Sequence, residues 1–520
     1  MNKKSNIILL MMDQLSEKWL CAALNGACEL PNFKRLIESG VKFNNMYSEN
    51  PVCCPARATI ATGLSTRGHG VLENGYQLDP KLPTFMKALQ TGGYQTGLFG
   101  KLHVEPHYKG LNPDYKQYGF DVTHVTEDCR GGEWLDWIQK EHPEYLEEVL
   151  MTIWANEIPE YLSYGENHEN LRERIKACRE KHDRTNGGKY PHASKKGYEL
   201  PFPKELSQTE WITQRAIDFM KNRETDQPFF AQISYVQPHG PFTPPAGYLD
   251  KVRDDMIPDV VLPEWADDEN APYCIKGRGA RIKMTPDQTA FNRKCYFADL
   301  IHLDEQVGKI LDCLEEINQK ENTYIVFVSD HGELLGDHGF YGKEEKHYDA
   351  CIHIPLVISG PGLESGITKD QMVQHTDICP TILEMAHVKM PLMPKEGPHL
   401  KVEQEDIPSL YGRSLMGLCQ GKDISWRQES YCESYNGLVS ADPRDWARTI
   451  RTNEYRYTYY PSGGGEQLFN LVEDPDETVN LAGDPRYEKQ KGLLKDLLLE
   501  YVILQDYPKT RRDLYALGVH

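Results

Sequence analysis

The sequence predicts an α/β protein: an α/β/α sandwich with a large, mostly parallel mixed sheet, and a smaller C-terminal α+β domain with an antiparallel sheet. Three observations predict this fold class. Short apolar runs alternate with segments of helical periodicity, the pattern of an α/β sheet. Polar residues with useful chemistry follow several of these runs directly. The last part of the chain instead shows alternating strands joined by a tight turn.

The main sheet is predicted from four short apolar runs that are typical of buried strands. They are Asn6–Met12, Tyr94–Phe99, Phe229–Tyr235 and Tyr324–Val328. A helix is predicted over Leu82–Gly92, which ends at a pair of glycines. A longer one is predicted over Arg293–Gln319, where apolar residues recur at helical spacing.

Residues Glu127–Leu206 differ from the rest of the chain, because they are highly charged and rich in Tyr and Trp. We interpret them as an insertion with helices that covers one side of the site. The predicted catalytic domain is residues 1–422, with this insertion at about 127–206.

The composition changes again after about Trp426. Strands are predicted at Ala447–Thr452, Tyr455–Tyr460 and Gln467–Leu471, and a closing helix at Gln490–Leu504. These elements form the predicted C-terminal α+β subdomain, residues 423–520.

The composition restricts the classes of partner. A chain of 520 residues exceeds the usual size of a single core, and 39% hydrophobic residues are enough to pack one. The formal charge of −20 argues against nucleic acid and anionic membranes as partners. An anionic substrate must therefore be held by local cations or by a metal.

Two features predict a cytoplasmic protein. The apolar run after Ser5 has too few residues for a signal peptide or a membrane span before Asp13 ends it. The 13 cysteines are scattered, odd in number and without CxxC spacing, as expected for reduced thiols.

Each of the four predicted strands is followed at once by polar residues. These are Asp13-Gln14, Gly100-Lys101-Leu102-His103, Gln237-Pro238-His239-Gly240-Pro241 and Ser329-Asp330-His331-Gly332-Glu333. The carboxyl ends of parallel strands meet at one edge of a sheet, where open α/β folds place their sites. This convergence predicts an enzyme, although a lone histidine or lysine is more often structural.

The first and last of these segments predict a metal site. Asp13, Gln14, Asp330 and His331 supply two carboxylates, an amide oxygen and an imidazole. Oxygen-rich sites suit hard cations such as Ca²⁺ or Mg²⁺, whereas imidazole leans towards transition metals. Each aspartate taken alone has the alternative of capping a turn or a helix.

The run Pro51–Gly63 contains Cys-x-Pro-x-Arg, with Cys53, Pro55 and Arg57 at the fixed positions. Pro55 suits the first position of a helix, which would place Cys53 just before the helix N-terminus. Free N–H groups and the helix dipole favour an anion there, so a thiol would be unusually acidic. The alternative is an ordinary buried cysteine.

These motifs, in this order and with Lys343 downstream, resemble those of the type I sulfatases of the alkaline phosphatase superfamily. In that family the cysteine of the Cys-x-Pro-x-Arg run is oxidised to formylglycine, whose aldehyde is hydrated to give an oxygen nucleophile. The resemblance covers nearly the whole chain. It departs at Ala56, where many members carry Ser, and at Gln14 and His331, where Asp and Asn are commoner.

The resemblance implies one calcium ion per chain and a covalent mechanism. Its ligands would be Asp13, Gln14, Asp330, His331 and the formylglycine derived from Cys53. One hydroxyl of the hydrated aldehyde attacks sulfur, and the second then expels sulfate. By the same resemblance, Asp330 is the partner of the attacking hydroxyl and His103 is the base for the elimination.

The remaining roles are also implied by the resemblance. Arg57 and Lys101 would steady the formylglycine oxygens. Lys343 and His239 would hold sulfate and protonate the leaving oxygen. Asn74 would donate a hydrogen bond to the sulfate.

The predicted function is a sulfuric ester hydrolase that acts on a small sulfated carbohydrate or a similar organic sulfate, after activation by a sulfatase-maturing enzyme. One alternative is a phosphonate monoester or phosphodiester hydrolase of the same superfamily, which shares the Asp-Gln and Asp-His features. Another is a non-catalytic binder of anionic glycans. Lys101 and His103 favour the sulfatase, because phosphonate monoester hydrolases carry Tyr and Thr at this pair.

Overall fold

The computed structural model describes residues 4–153, 158–186, 197–223, 227–263, 271–276, 284–343, 346–390, 412–435 and 442–505. Within these residues the strands form one sheet of eight strands and one of four. The strands are β1 (Asn6–Met12), β2 (Gly40–Tyr47), β3 (Gln95–Gly100), β4 (Val122–Val125), β5 (Phe229–Tyr235), β6 (Thr323–Ser329), β7 (Leu356–Ser359), β8 (Ile367–Gln374), β9 (Glu429–Ser434), β10 (Ala447–Thr452), β11 (Tyr455–Tyr460) and β12 (Gly465–Asn470).

Helices cover both faces of the large sheet and one face of the small sheet. They are α1 (Glu17–Ala22), α2 (Pro31–Glu38), α3 (Cys53–Thr62), α4 (Thr66–His69), α5 (Phe85–Thr91), α6 (Glu133–Glu141), α7 (Leu146–Thr152), α8 (Leu171–Asn186), α9 (Gln208–Asn222), α10 (Tyr273–Lys276), α11 (Pro286–Glu316), α12 (Asp349–Ile352), α13 (Ile378–Ala386), α14 (Met416–Cys419) and α15 (Glu488–Gln505). None of the helices described combines the length and apolar character needed to cross a bilayer.

The eight-stranded sheet has the order β4-β3-β5-β1-β6-β7-β2-β8. Only β7 runs against its neighbours, since it pairs antiparallel with both β6 and β2, while the other pairs are parallel. The carboxyl ends of the remaining seven strands therefore lie at one edge. The predicted mostly parallel mixed sheet is confirmed.

The central strand β1 shows why the sheet is covered on both faces. All seven of its residues are buried, and side chains alternate between faces along a strand. Ile8, Leu10 and Met12 pack into a core shared with α2, α9 and α11. Ile7 and Leu9 pack into a second core shared with α5 and α13. The fold is thus the predicted α/β/α sandwich.

The smaller antiparallel sheet has the order β12-β11-β10-β9. One face packs against α15 through Leu494 and Leu498. The other face contributes Phe469 to a cluster with Phe340 and Tyr348, which follow β6. The sheet begins at Glu429, after the predicted boundary at residue 422; the boundary itself stays a prediction.

The structure contains a strand or helix at each predicted position, although the ends of several elements differ from the predicted ones. The strands Asn6–Met12 and Phe229–Tyr235 agree residue for residue with β1 and β5. The long helix begins earlier than predicted, at Pro286, because Thr285 caps it in a capping box with Gln288. The predicted insertion contains α6, α7 and α8, and its residues 154–157 and 187–196 lie outside the described residues.

Candidate active site

The candidate site lies at the carboxyl edge of the large sheet. Segments that follow β1, β3, β5 and β6 meet there, as predicted from the polar residues behind each strand. A fifth contributor is β2, which runs in the same direction and is followed by the loop that leads into α3. This loop delivers Cys53 to the same edge.

Helix α3 begins at Cys53 itself, two residues before the predicted first position at Pro55, so the prediction that Cys53 precedes the helix was wrong. Pro55 is tolerated inside the first turn because the N–H groups there have no intrahelical partner. The first helical bond runs from the N–H of Ala56 to the carbonyl oxygen of Val52. The N-terminus of α3 is capped by a residue outside the helix: Oδ1 of Asn74 accepts the N–H of Cys54 at 3.0 Å.

Glycine is required where β3 ends. Gly100 has a φ of +96°, and a Cβ at this position would lie 2.1 Å from the carbonyl oxygen of Ser234 on β5. The chain therefore leaves the sheet close to its neighbour and turns the next residue, Lys101, into the site. His103 follows with a φ of +47°. Lys101 and His103 lie beyond the end of β3, and this turn brings both to the same centre.

Cys53 lies at the centre of the site and is fully buried. The ammonium of Lys343 donates to its sulfur at 2.7 Å, and Nε2 of His331 lies 3.2 Å from the same atom. A ring nitrogen of His103 lies within 4.8 Å of the same sulfur, and His239 interacts with it electrostatically. The predicted basic residues therefore surround one atom.

The two aspartates, Asp13 and Asp330, lie close to Cys53 and His331. Arg57 donates from Nε to Oδ2 of Asp330 at 2.8 Å and from Nη2 to Oδ2 of Asp13 at 3.1 Å. The Oδ1 atoms of both aspartates lie 3.7 Å from Nε2 of His331. In each carboxylate, Oδ2 thus accepts a hydrogen bond from Arg57, and Oδ1 faces His331 at the centre of the site.

Gln14 is oriented by a carboxylate that sequence reasoning missed. Its Nε2 donates to Oε2 of Glu333, which leaves the amide oxygen as the atom available to a metal. The other oxygen of Glu333 accepts the N–H groups of Leu335 and Gly342 at 2.7 and 2.6 Å. Glu333 therefore ties Gln14 to the loop that carries Lys343.

Lys101 lies between two carboxylates. Its ammonium contacts Oδ2 of Asp13 and donates to both oxygens of Asp128 at 2.7 and 2.8 Å. Lys101 is 0% exposed, so these contacts replace the water that the charge has lost. Asp128 belongs to the site and was missed, because it lay inside the predicted insertion.

The backbone at His103 is held by Glu127. One oxygen, Oε1, accepts the N–H of His103 at 3.0 Å and the hydroxyl of Tyr115 at 2.8 Å. Its other oxygen contacts Nε2 of His107 at 3.3 Å. The His107 ring stacks on His103, with centroids 3.8 Å apart. Glu127 and His107 were also missed.

These surroundings shift the pKa values of the central groups. Burial opposes the charged form of Cys53, but Lys101 and Lys343 outweigh it and hold the pKa of the thiol well below its usual range. Burial lowers the pKa of His103 to about 4, with help from His107. The pKa of His239 is raised, because Asp128 and Asp13 outweigh the opposing effect of burial.

The structure brings together all of the predicted site residues. They are Asp13, Gln14, Cys53, Arg57, Asn74, Lys101, His103, His239, Asp330, His331 and Lys343. Arg57 and Lys101 differ from the prediction in kind, because both cations contact carboxylates: Arg57 binds Asp13 and Asp330, and Lys101 contacts Asp13 and Asp128. The missed residues Glu127 and Asp128 follow β4, and the rule applied to the other strand ends would have found them had that strand been recognised.

A profile of the Sulfatase family matches residues 5–388. The chain belongs to the sulfatase family. A second profile, N-sulphoglucosamine sulphohydrolase, C-terminal, matches residues 336–503 of this sulfatase. An arylsulfatase of Clostridium perfringens is 27% identical over 96% of this chain and 94% of its own length.

Two further proteins are similar to this sulfatase. An N-acetylglucosamine-6-O-sulfatase of Bacteroides thetaiotaomicron is 24% identical, over 96% of this chain and 86% of its own. The crystal structure of the phosphonate monoester hydrolase of Agrobacterium radiobacter superposes with a TM-score of 0.74 at 22% identity, covering 96% of both chains. The latter likeness shows the shared fold, and the named sulfatase relatives identify this chain as a hydrolase of sulfuric esters.

Proposed function

We propose that this sulfatase releases sulfate from a small organic sulfate through a formylglycine made from Cys53, beside one calcium ion. The observation that supports this most is the position of the Cys53 sulfur. It lies between the Oδ1 atom of Asp13, at 3.9 Å, and the ammonium of Lys343, at 2.7 Å. A nucleophile in this place lies next to the candidate metal ligands and next to a cation that can bind an anion.

The residues present fit calcium. The Cys53 sulfur marks the place of a formylglycine oxygen, so that the donor set becomes two carboxylate oxygens, one amide oxygen, one aldehyde-derived oxygen and the imidazole of His331. Oxygen donors of this kind suit Ca²⁺. The Nδ1 atom of His331 lies 2.9 Å from the carbonyl oxygen of Gly332, which leaves Nε2 facing the centre. When bound, the metal neutralises sulfate charge and lowers the pKa of the nucleophile.

The polar residues around Cys53 have two further roles, which are to bind sulfate and to transfer protons. Lys343 binds the sulfate oxygens, and Asn74 supplies a second donor because its Oδ1 is already used by helix α3. His239 donates a proton to the leaving oxygen, and His103 removes one during release of sulfate. The raised pKa of His239 and the lowered pKa of His103 agree with an acid and a base.

We further propose a small sulfated carbohydrate as the substrate. An N-acetylglucosamine-6-O-sulfatase among the relatives supports this class. Formation of the nucleophile requires a sulfatase-maturing enzyme as a partner, since Cys53, Pro55 and Arg57 have the spacing of the recognised motif.

A phosphonate monoester or phosphodiester hydrolase is the second candidate. It is favoured by Gln14 and His331, the two positions at which the chain departs from the commoner sulfatase ligands. Lys101 and His103 favour the sulfatase, because both lie at Cys53 and can serve the elimination step.

The test compares matched aryl esters on fully converted enzyme. The aryl sulfate should have a higher kcat/KM than the aryl phosphonate, and a preference for the phosphonate would support the second candidate. Cys53→Ala should abolish turnover, while Cys54→Ala should keep it. Peptide mass spectrometry should show the aldehyde or its hydrate at Cys53. An intact thiol with full activity would contradict the mechanism.

A further inference from the structure

In the chain as encoded, the centre of the site contains a sulfur atom and an imidazole in addition to two carboxylates. The four side chains are Asp13, Cys53, Asp330 and His331. All four are 0% exposed. Thiolate and imidazole are the ligands that Zn²⁺ prefers, whereas calcium takes oxygen ligands. The unconverted chain therefore differs from the converted one in the kind of metal that its donors suit.

Four of the six separations between these donors are close to those of a zinc site, and all six are within 4.8 Å. Zinc–ligand distances of about 2.0–2.3 Å in a tetrahedron require donor atoms about 3.3–3.6 Å apart. The Cys53 sulfur lies 3.2 Å from Nε2 of His331 and 3.9 Å from Oδ1 of Asp13. That Nε2 atom lies 3.7 Å from Oδ1 of each aspartate. Each of these four separations is within about 0.4 Å of the tetrahedral value.

The groups behind the donors also suit a metal. The Nδ1 atom of His331 lies 2.9 Å from the carbonyl oxygen of Gly332, the contact that commonly fixes a metal-binding histidine. Arg57 binds Oδ2 of both aspartates, so that Oδ1 of each faces the centre. Oδ1 of Asp330 also accepts the N–H groups of Gln14 and His331, which fix its direction. These donors are thus oriented before any ion arrives, which lowers the cost of binding.

We propose that the unconverted chain binds one Zn²⁺ ion through Cys53, His331 and the two aspartates, and that conversion of Cys53 changes this pocket into a calcium site. The zinc half does not depend on the sulfatase reaction, since the unconverted chain has no aldehyde. The calcium half rests on the proposed function.

Lys343 competes with the metal in this arrangement. Its ammonium lies 2.8 Å from Nε2 of His331 and 2.7 Å from the Cys53 sulfur, so it uses the electron pairs that zinc requires. Zinc must displace this ammonium from both atoms. Removing the charge with Lys343→Ala should therefore strengthen metal binding, although the same change weakens sulfate binding.

The experiment uses metal-free chain produced without a maturing enzyme, with the Cys53 thiol verified by mass spectrometry. Cobalt(II) is the probe, because thiolate ligation gives a charge-transfer absorption that carboxylates and imidazoles do not. One equivalent of cobalt should produce this band, excess Zn²⁺ should remove it and excess Ca²⁺ should not. Displacement by calcium would overturn the proposal.

Variants locate the ligands. Cys53→Ser should lose the band, and Cys54→Ser, its buried neighbour, should keep it. His331→Asn should weaken cobalt binding by at least the roughly 10–100-fold that loss of an outer contact costs, and Lys343→Ala should strengthen it. A band that persists in Cys53→Ser, or an affinity unchanged in His331→Asn, would overturn the zinc site. Neither result affects the sulfatase reaction, which is measured on converted enzyme.

Discussion

Oε1 of Glu127 accepts the backbone N–H of His103 at 3.0 Å, at a residue whose φ of +47° is uncommon for a side chain other than glycine. The same oxygen accepts the hydroxyl of Tyr115. The buried carboxylate of Glu127 therefore stabilises the backbone conformation that places the His103 ring near Cys53.

Glu127→Ala should lower kcat more than it raises KM. The change leaves the N–H of His103 without its acceptor, at a cost of about 1–3 kcal/mol for each unsatisfied buried group. We expect a fall in kcat of about 10–100-fold. Steady-state kinetics on an aryl sulfate measures it. Intact mass should show chain that carries sulfate, because a misplaced His103 slows the release of sulfate.

The matched control for this prediction is His107→Ala. It removes the ring stacked on His103 and leaves Oε1 of Glu127 bound to the backbone. We expect it to affect kcat less than Glu127→Ala does. Equal kcat values for Glu127→Ala and the parent enzyme would show that this carboxylate does not position His103.

Arg57→Lys should weaken calcium binding by about 10–100-fold. A lysine retains the charge but cannot bridge Asp13 and Asp330 while also donating to the carbonyl oxygen of Lys101. Calcium titration with a thermal readout measures this effect. Arg486→Lys is the control, since that side chain is 81% exposed. Peptide mass spectrometry must report conversion separately, because Arg57 belongs to the maturation motif.

Asp330→Asn should remove both calcium binding and turnover. Its Oδ2 accepts from Arg57 and its Oδ1 from the N–H groups of Gln14 and His331, so an amide NH₂ faces a donor in either orientation. We expect kcat to fall at least about 100-fold. In the parent enzyme, chelation should remove activity, and calcium should restore it better than zinc.

The control for the aspartate prediction is Asp312→Asn, an exposed carboxylate paired with Arg35 on the surface. It should leave the calcium affinity and kcat unchanged. A near-normal rate in Asp330→Asn would exclude this residue as a metal ligand and as the partner of the nucleophile.

Glu49 should make the protein less stable as the pH rises. Burial raises the pKa of Glu49 to about 7, although bonds from Thr376 act against the shift. The folded chain therefore holds more protons than the unfolded chain between pH 4.5 and about 7, so the free energy of unfolding falls across this window, by up to about 3 kcal/mol.

Glu49→Gln tests the pH prediction, because glutamine does not titrate. Thermal midpoints at a pH of about 5 and about 8 should differ less in the variant than in the parent protein. An unchanged difference would mean that another group is responsible for the pH dependence.

The strands at the centre of the sheet could be predicted from sequence because they are apolar throughout. β1 and β5 are buried on both faces and show continuous apolar runs. β4, with the sequence Val-Thr-His-Val, is short and only partly buried, so no such run marks it. Glu127 and Asp128, which follow β4, were consequently assigned to an insertion.

The motif around Cys53 predicted which residues meet, but not how each is held. The backbone turn at Gly100 and the cap that Asn74 gives α3 depend on segments distant in sequence. Arg57 on α3 shows the same limit, because its partners Asp13 and Asp330 follow two strands that are distant in sequence, β1 and β6. Hydrogen bonds between residues distant in sequence produce no local sequence pattern from which the partners could be predicted.

The carboxylate of Glu333 joins two binding events that are chemically separate. One oxygen orients Gln14 towards the metal position, and the other holds the N–H of Gly342, the residue before Lys343. A movement of the Lys343 loop on binding sulfate therefore reaches the amide of Gln14 through a single side chain. Such linkage is reciprocal. If bound calcium changes the affinity for sulfate by a given factor, bound sulfate changes the affinity for calcium by the same factor.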